Sequence, residues 1–112
     1  MTLKEWSLTP DKTSVPSGGE TFVATNAGTV KHELVVIKTD LAPDSLKLSG
    51  DEVDEKASGQ KIGEIEEFSP GKTERATFNL QPGKYVLFCN IPDHYRQGVR
   101  TGFEVTSASS TR

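Results

Sequence analysis

A single cysteine, Cys89, rules out any internal disulfide, so whatever core this chain of 112 residues builds has no covalent staple. No stretch approaches the ~18 consecutive apolar residues that a membrane span requires. The start Met1-Thr2-Leu3-Lys4-Glu5-Trp6 lacks the charged and apolar regions of a signal peptide. Basic runs are missing as well. With 13 Lys plus Arg against 16 Asp plus Glu and a net charge of -3, nothing is placed to neutralise a row of phosphates, which argues against nucleic-acid binding. Helical periodicity is scarce, and there is no internal repeat. The hydrophobic fraction of 33% is enough for one thin core, and at this length two cores would each be marginal. We therefore expect one domain over 1–112, with residues 107–112 as a flexible tail.

What the chain does have is a succession of short alternating runs, each bounded by Gly, Pro, Asn or Asp. Lys4 to Leu8 reads as a first strand, closed by the turn signal Thr9-Pro10-Asp11. Thr13 to Val15 fits an edge strand. Thr21 to Asn26 alternates, with Phe22 and Ala24 facing one way. His32 to Thr39 is the most strand-like run, and its period of two sets His32, Leu34 and Val36 on one face. Between Asp40 and Lys61 the pattern dissolves into a polar surface excursion, with room for a short helix near Asp44 to Leu48. Strands resume over Gly63 to Phe68, Thr73 to Leu80, Lys84 to Cys89 and Thr101 to Thr106. About seven or eight short strands in one small domain predict an all-β, Greek-key β-sandwich.

The residues able to carry chemistry are few. Cys89 ends a strand, a tight Asn90-Ile91-Pro92-Asp93 loop follows, and His94 comes next. Taken alone, such a cysteine is a small buried hydrophobe, a reactive thiol or a metal ligand. The other histidine, His32, opens the inward face of the longest apolar strand, where an imidazole without a partner would cost ~1–3 kcal/mol. One thiolate and two imidazoles converging at one end of a sandwich would account for all three. That donor set suits copper in electron transfer, because thiolate favours Cu(I), imidazole accepts both oxidation states, and a rigid scaffold keeps the site nearly unchanged between them.

The loop YVLFCNIPDHYRQGV, with HELVV upstream and PGKYV leading into the cysteine, resembles the cupredoxins, the blue (type 1) copper proteins, and within them the small plastocyanin- or azurin-like domains and the rusticyanin and sulfocyanin branch, whose ligand loop it is most like. The resemblance runs from about Trp6 to Val105 and implies an eight-stranded Greek-key sandwich with one copper per chain. It implies His32 as the first ligand, Cys89 as the thiolate, and His94 as the solvent-edge imidazole through which electrons pass. Two positions depart from the family pattern. Val99 stands where that pattern has its axial Met, and valine cannot donate to a metal. The site should then have three protein side-chain ligands unless the backbone oxygen of Lys31 or a water completes it, and its reduction potential should rise. Asp93 stands where a Gly is usual; Asp tolerates a left-handed backbone, and a carboxylate beside His94 should lower the potential. Contact of Asp93 with the metal is the alternative role for that residue.

Around the ligands, the backbone of Glu33 is placed to bond the thiolate, and Asn90 to hold the loop. Ile91, Pro92 and Tyr95 read as an apolar collar for partner docking. Trp6 reads as packing rather than as a redox relay, and the acidic runs at 51–55 and 66–67 as solvated faces. The resulting expectation is a monomeric one-electron carrier, not an enzyme, that works with redox protein partners. The resemblance implies a periplasmic or extracellular location, with any leader or anchor absent from this sequence. A copper-delivery or sensing module, or a cupredoxin with altered redox properties, is the alternative. The Met- or His-rich surface clusters that metal carriers use are missing, and two histidines are too few for a second copper site such as multicopper enzymes need.

Overall fold

A computed structural model describes residues 1–107 of the chain. The tail expected over 107–112 therefore falls, from residue 108 on, outside the described residues. Its elements are β1 (Thr2–Lys4), β2 (Ser7–Thr9), β3 (Ser14–Pro16), β4 (Gly18–Asn26), β5 (His32–Lys38), β6 (Leu48–Ser49), β7 (Glu52–Val53), α1 (Glu55–Ser58), β8 (Gln60–Phe68), β9 (Thr73–Leu80), β10 (Gly83–Phe88), α2 (His94–Gln97) and β11 (Arg100–Thr106). One sheet runs β2-β1-β4-β9 and the other β3-β11-β10-β5-β8, with β6 and β7 as a separate small hairpin. The pairs β1 with β4 and β3 with β11 are parallel, and the other pairs antiparallel. This is the expected all-β sandwich, with non-local pairings that put early and late strands side by side.

The two sheets close on a core of Leu3, Phe22, Leu34, Val36, Leu80, Tyr85, Leu87, Cys89, Val99 and Phe103, among others. Strand β5 shows why its residues are so uniformly apolar. Leu34 and Val36 face that core, while Val35 and Ile37 pack on the opposite side of the sheet with Leu46, Val53, Val86, Phe88 and Tyr95. Both faces of the strand are covered, so the run reads as nearly continuous rather than strictly alternating. Each fully buried Leu, Ile or Val contributes ~1.5–3 kcal/mol relative to exposure.

Three local expectations are corrected. The first strand, read as Lys4 to Leu8, is two strands folded on each other, with Leu3 opposite Leu8 and the pair Glu5-Trp6 in the connection. More strands are present among the described residues than the seven or eight expected, because short pieces such as β6 and β7 carry too few residues to show an alternation. The polar excursion expected over 40–61 is present and carries elements of its own. It forms the β6–β7 hairpin and helix α1, capped by the Asp54 side chain on the Ala57 N–H, and it buries Leu46, Val53 and Ser58 beneath it. The short helix lies at Glu55–Ser58, capped by Asp54, rather than near 44–48, where the Leu46 and Lys47 N–H groups bond the Tyr95 and Ser58 hydroxyls instead.

Candidate metal centre

The antiparallel pairing of β5 with β10 matches Phe88 to Val35, so the end of β10 meets the start of β5 at one end of the sandwich. His32 opens β5 there, Cys89 follows β10, and His94 begins α2. The loop between Cys89 and His94 is held by the Cys89 N–H bonding the Val99 carbonyl (3.0 Å), the His94 N–H bonding that of Ile91 (2.9 Å), and the Asp93 N–H bonding that of Asp51 (2.8 Å). Asp93 has φ 70° and ψ -11°, the left-handed region that Asp tolerates better than most side chains.

These elements bring one donor atom from each of His32, Cys89 and His94 within 4.8 Å of one another, and all three side chains are buried. Cys89 Sγ lies 3.3 Å from His94 Nδ1, and the two imidazole centroids are 4.9 Å apart. His32 identifies its own inward atom. Its Nε2 is 2.6 Å from Glu5 Oε2, whereas its Nδ1 is buried with no hydrogen-bond partner. An ionised carboxylate only accepts, so Nε2 carries the proton, and in the neutral ring Nδ1 presents a bare lone pair. A buried acceptor left open beside a thiol and a second imidazole is the arrangement a metal ion satisfies.

Electrostatics agree with that reading. Burial pushes the Cys89 thiol up to about 11, partly offset by the backbone N–H groups of Glu33 and Ile91, so the metal-free thiol keeps its proton at neutral pH and a cation must displace it. Desolvation, reinforced by His32, lowers the His94 pKa and favours the neutral ring that can ligate. Glu5 is held down at about 2, chiefly by the Thr29 hydroxyl and N–H and then by His32. Burial, together with Glu64 and Glu67, raises the Glu33 carboxyl to about 7.

The surrounding residues divide clearly. The Glu33 N–H donates to Cys89 Sγ at 3.3 Å. Asn90 reaches across to β7 and α1: its Oδ1 accepts from the Val53 N–H (2.7 Å), and its Nδ2 donates to the Val53 carbonyl (3.1 Å) and to Glu55 Oε2 (2.9 Å). Val99 is fully buried in the same core cluster as Cys89. Lys31 is exposed. Asp93 turns its carboxylate away to Arg96 Nη1 (3.4 Å) and Gln97 Nε2 (3.1 Å), and it is not in the donor cluster.

Of the three docking residues, Ile91 is half-buried and Pro92 exposed, but Tyr95 is only 3% exposed and cannot line a docking surface. On α2 it packs in the second core cluster, apart from Cys89. Its ring packs edge-on to Phe88, and its hydroxyl donates to the Pro43 carbonyl (2.6 Å) and accepts from the Leu46 N–H (3.0 Å). His94, expected at the solvent edge, is 8% exposed, because the Trp6 ring sits edge-on against it at 5.2 Å while remaining 46% exposed itself. Glu5 and Trp6 are the site residues that sequence reasoning missed. Nothing in the local pattern marks them, because Glu5, Trp6, Ser7 and Leu8 alternate polar and apolar as an ordinary strand would.

The same architecture is present in known proteins. No family model matches the chain, and no curated protein matches it. Among solved structures, auracyanin from Roseiflexus castenholzii, in its dithionite-reduced form, superposes with a TM-score of 0.64 at 25% identity, over 94% of this chain and 96% of that one. Auracyanin A, a "blue" copper protein from Chloroflexus aurantiacus, gives 0.60 at 19% identity over 95% and 98%. The chain has the cupredoxin fold. Reduced rusticyanin shares it more distantly, with a TM-score of 0.54 at 18% identity, over 83% of this chain and 61% of that one. Within this cupredoxin fold, the His32, Cys89 and His94 cluster fits a type 1 copper site.

Proposed function

We propose that this cupredoxin-fold chain is a one-electron carrier that holds a single copper ion on His32 Nδ1, His94 Nδ1 and Cys89 Sγ. The observation that carries the reading is the buried, partnerless Nδ1 of His32, a residue that brings a ligand atom within 4.8 Å of those of Cys89 and His94. Copper bound there supplies the Cu(II)/Cu(I) couple. The protein's part is to keep the donors in place through the change: the Glu33 N–H steadies the thiolate sulfur, the Cys89 to Val99 backbone bond fixes the loop, and the surrounding core excludes water. Trp6, edge-on to His94, together with Pro92, takes the docking place assigned to Tyr95. The partner class is a redox protein, in the periplasmic or extracellular location that the resemblance to cupredoxins implies. No substrate chemistry is proposed.

Electron transfer is favoured over metal delivery because all three donors are buried and anchored, which suits a held ion better than an exchanged one. Titration with Cu(II) should saturate at one copper per chain and develop an intense thiolate-to-copper band with narrow copper hyperfine splitting. Weak ligand-field bands with wide splitting, or no uptake, would overturn the reading.

Val99, at the axial position of the family loop, makes this a site without a thioether donor, left to its three side-chain ligands or to a weak oxygen such as that of Lys31. Val99→Met supplies a donor that stabilises the oxidised ion, so the reduction potential should fall below that of the parent by cyclic voltammetry. An unchanged or raised potential would remove Val99 from the axial role.

A further inference from the structure

We infer that Glu5 is a positioning residue of the metal centre: its carboxylate locks His32 in the tautomer that can ligate and biases the site toward the oxidised ion. This rests on the copper reading above only for its second half. Glu5 lies in the connection between β1 and β2, and its carboxylate is satisfied on both oxygens. Oε2 takes the His32 Nε2–H at 2.6 Å, and Oε1 takes the Thr29 N–H at 2.8 Å and the Thr29 hydroxyl at 2.6 Å. Three donors define its orientation, and its side chain is 17% exposed against none for His32.

The loop before β5 is shaped around this group. A Cβ on Gly28 would fall on the Glu5 carboxylate and within 3.0 Å of His32 Nε2, so any larger residue there would push the carboxylate from its place on the ring. Gly28 is itself fixed by its N–H to Asn26 Oδ1 at 2.9 Å. Thr29, the next residue, supplies both of the other hydrogen bonds. The contact joins residues 27 positions apart, which marks it as a tertiary feature rather than a by-product of local turn geometry.

Two consequences follow from the geometry. An imidazole free of Glu5 can carry its proton on either nitrogen, and a proton on Nδ1 blocks ligation; the carboxylate removes that choice. A negative charge against the ring N–H also strengthens the ring as a donor, an effect that grows with the charge of the ion it faces. Cu(II) should gain more than Cu(I).

The test uses Glu5→Gln, which keeps size and removes charge, with Glu5→Asp as a second variant that keeps charge but withdraws it by about one bond length, ~1.5 Å. The first readout is the pair of His32 ring nitrogen shifts in the metal-free protein. The parent should show a single form protonated at Nε2, and Glu5→Gln a mixture. The second is the ratio of Cu(II) to Cu(I) affinity from chelator competition. Cu(II) affinity should fall by about 10- to 100-fold in Glu5→Gln and Cu(I) affinity by less, so the ratio falls and the potential rises by about 59 mV for each tenfold change in that ratio. Glu5→Asp should move both in the same direction by less, and it carries the test if Glu5→Gln does not fold. A folded Glu5→Gln that keeps the parental value in either readout overturns the inference. If the parent takes up no copper, the function proposed above fails, and the tautomer measurement on the metal-free chain still decides the role of Glu5.

Discussion

Replacing Cys89 by serine should abolish the intense visible band of the Cu(II)-loaded protein and weaken copper binding by more than the roughly 10- to 100-fold that loss of an outer-shell partner costs. The reason is the character of the donor. A thiolate is the soft ligand in this set, the only one that strongly favours Cu(I), and its covalency with copper is the source of the absorption. A serine hydroxyl in the same buried place does not ionise near neutral pH and leaves two imidazoles and no anion. The fold should survive, because serine is close to isosteric and its oxygen can still accept the Glu33 N–H that now reaches the sulfur. Optical and paramagnetic resonance spectra, copper stoichiometry and a thermal melt make the comparison. A Cys89→Ser protein that keeps the band would show that the chromophore lies elsewhere, and one that fails to fold would assign Cys89 a packing role larger than its size suggests.

The second large effect concerns Asn26, a fully buried amide that organises the approach to His32. Its Nδ2 donates to the carbonyls of Val30 (2.9 Å) and Phe68 (3.0 Å), and its Oδ1 accepts from the Gly28 N–H (2.9 Å). Phe68 is the cross-strand partner of His32, so one side chain ties the loop before β5 to the end of β8 opposite that histidine. Asn26→Ala takes this partner from the Phe68 carbonyl in a buried place and from the Val30 carbonyl and the Gly28 N–H in partly buried ones. Each such group costs ~1–3 kcal/mol, so a loss of about 2–5 kcal/mol is expected, a large part of the ~5–15 kcal/mol typical of a domain. Denaturant unfolding should show a lower midpoint at an unchanged slope. A loss under about 1 kcal/mol would mean that these groups find other partners and that the loop is held by Glu5 and Thr29 instead. Copper affinity should fall with stability, because Gly28 and Thr29 would no longer be presented to the carboxylate that orients His32.

Much of the fold was legible where the signal is local. The alternation of Phe22 and Ala24 against Val23 and Thr25 is that of β4, in which the first two are buried. The Ser69-Pro70-Gly71 and Gln81-Pro82-Gly83 turns separate β8, β9 and β10 close to where expected. Legibility failed at Glu5-Trp6, where a strand folds back after three residues, and over 40–61, where burial of Leu46 and Val53 depends on Phe88 and Tyr95 far along the chain. A scattered apolar residue in a polar segment has no period to reveal it.

The site divides along the same line. By itself the sequence determined the available chemistry: one thiol, two imidazoles, no thioether beyond Met1, and a Cys-to-His loop of a recognisable pattern. It also determined that strands would carry them, since β alternation and turn residues are properties of near neighbours. Tertiary structure alone decided which nitrogen of His32 faces inward, that Trp6 covers His94, that Tyr95 turns into the second core cluster, and that Glu5 holds His32. Those outcomes depend on strand ends that meet only after the sheets have paired non-locally. The orientation of a ring or a carboxylate is set by what fills the space beside it, and that neighbour is specified by packing, not by position along the chain.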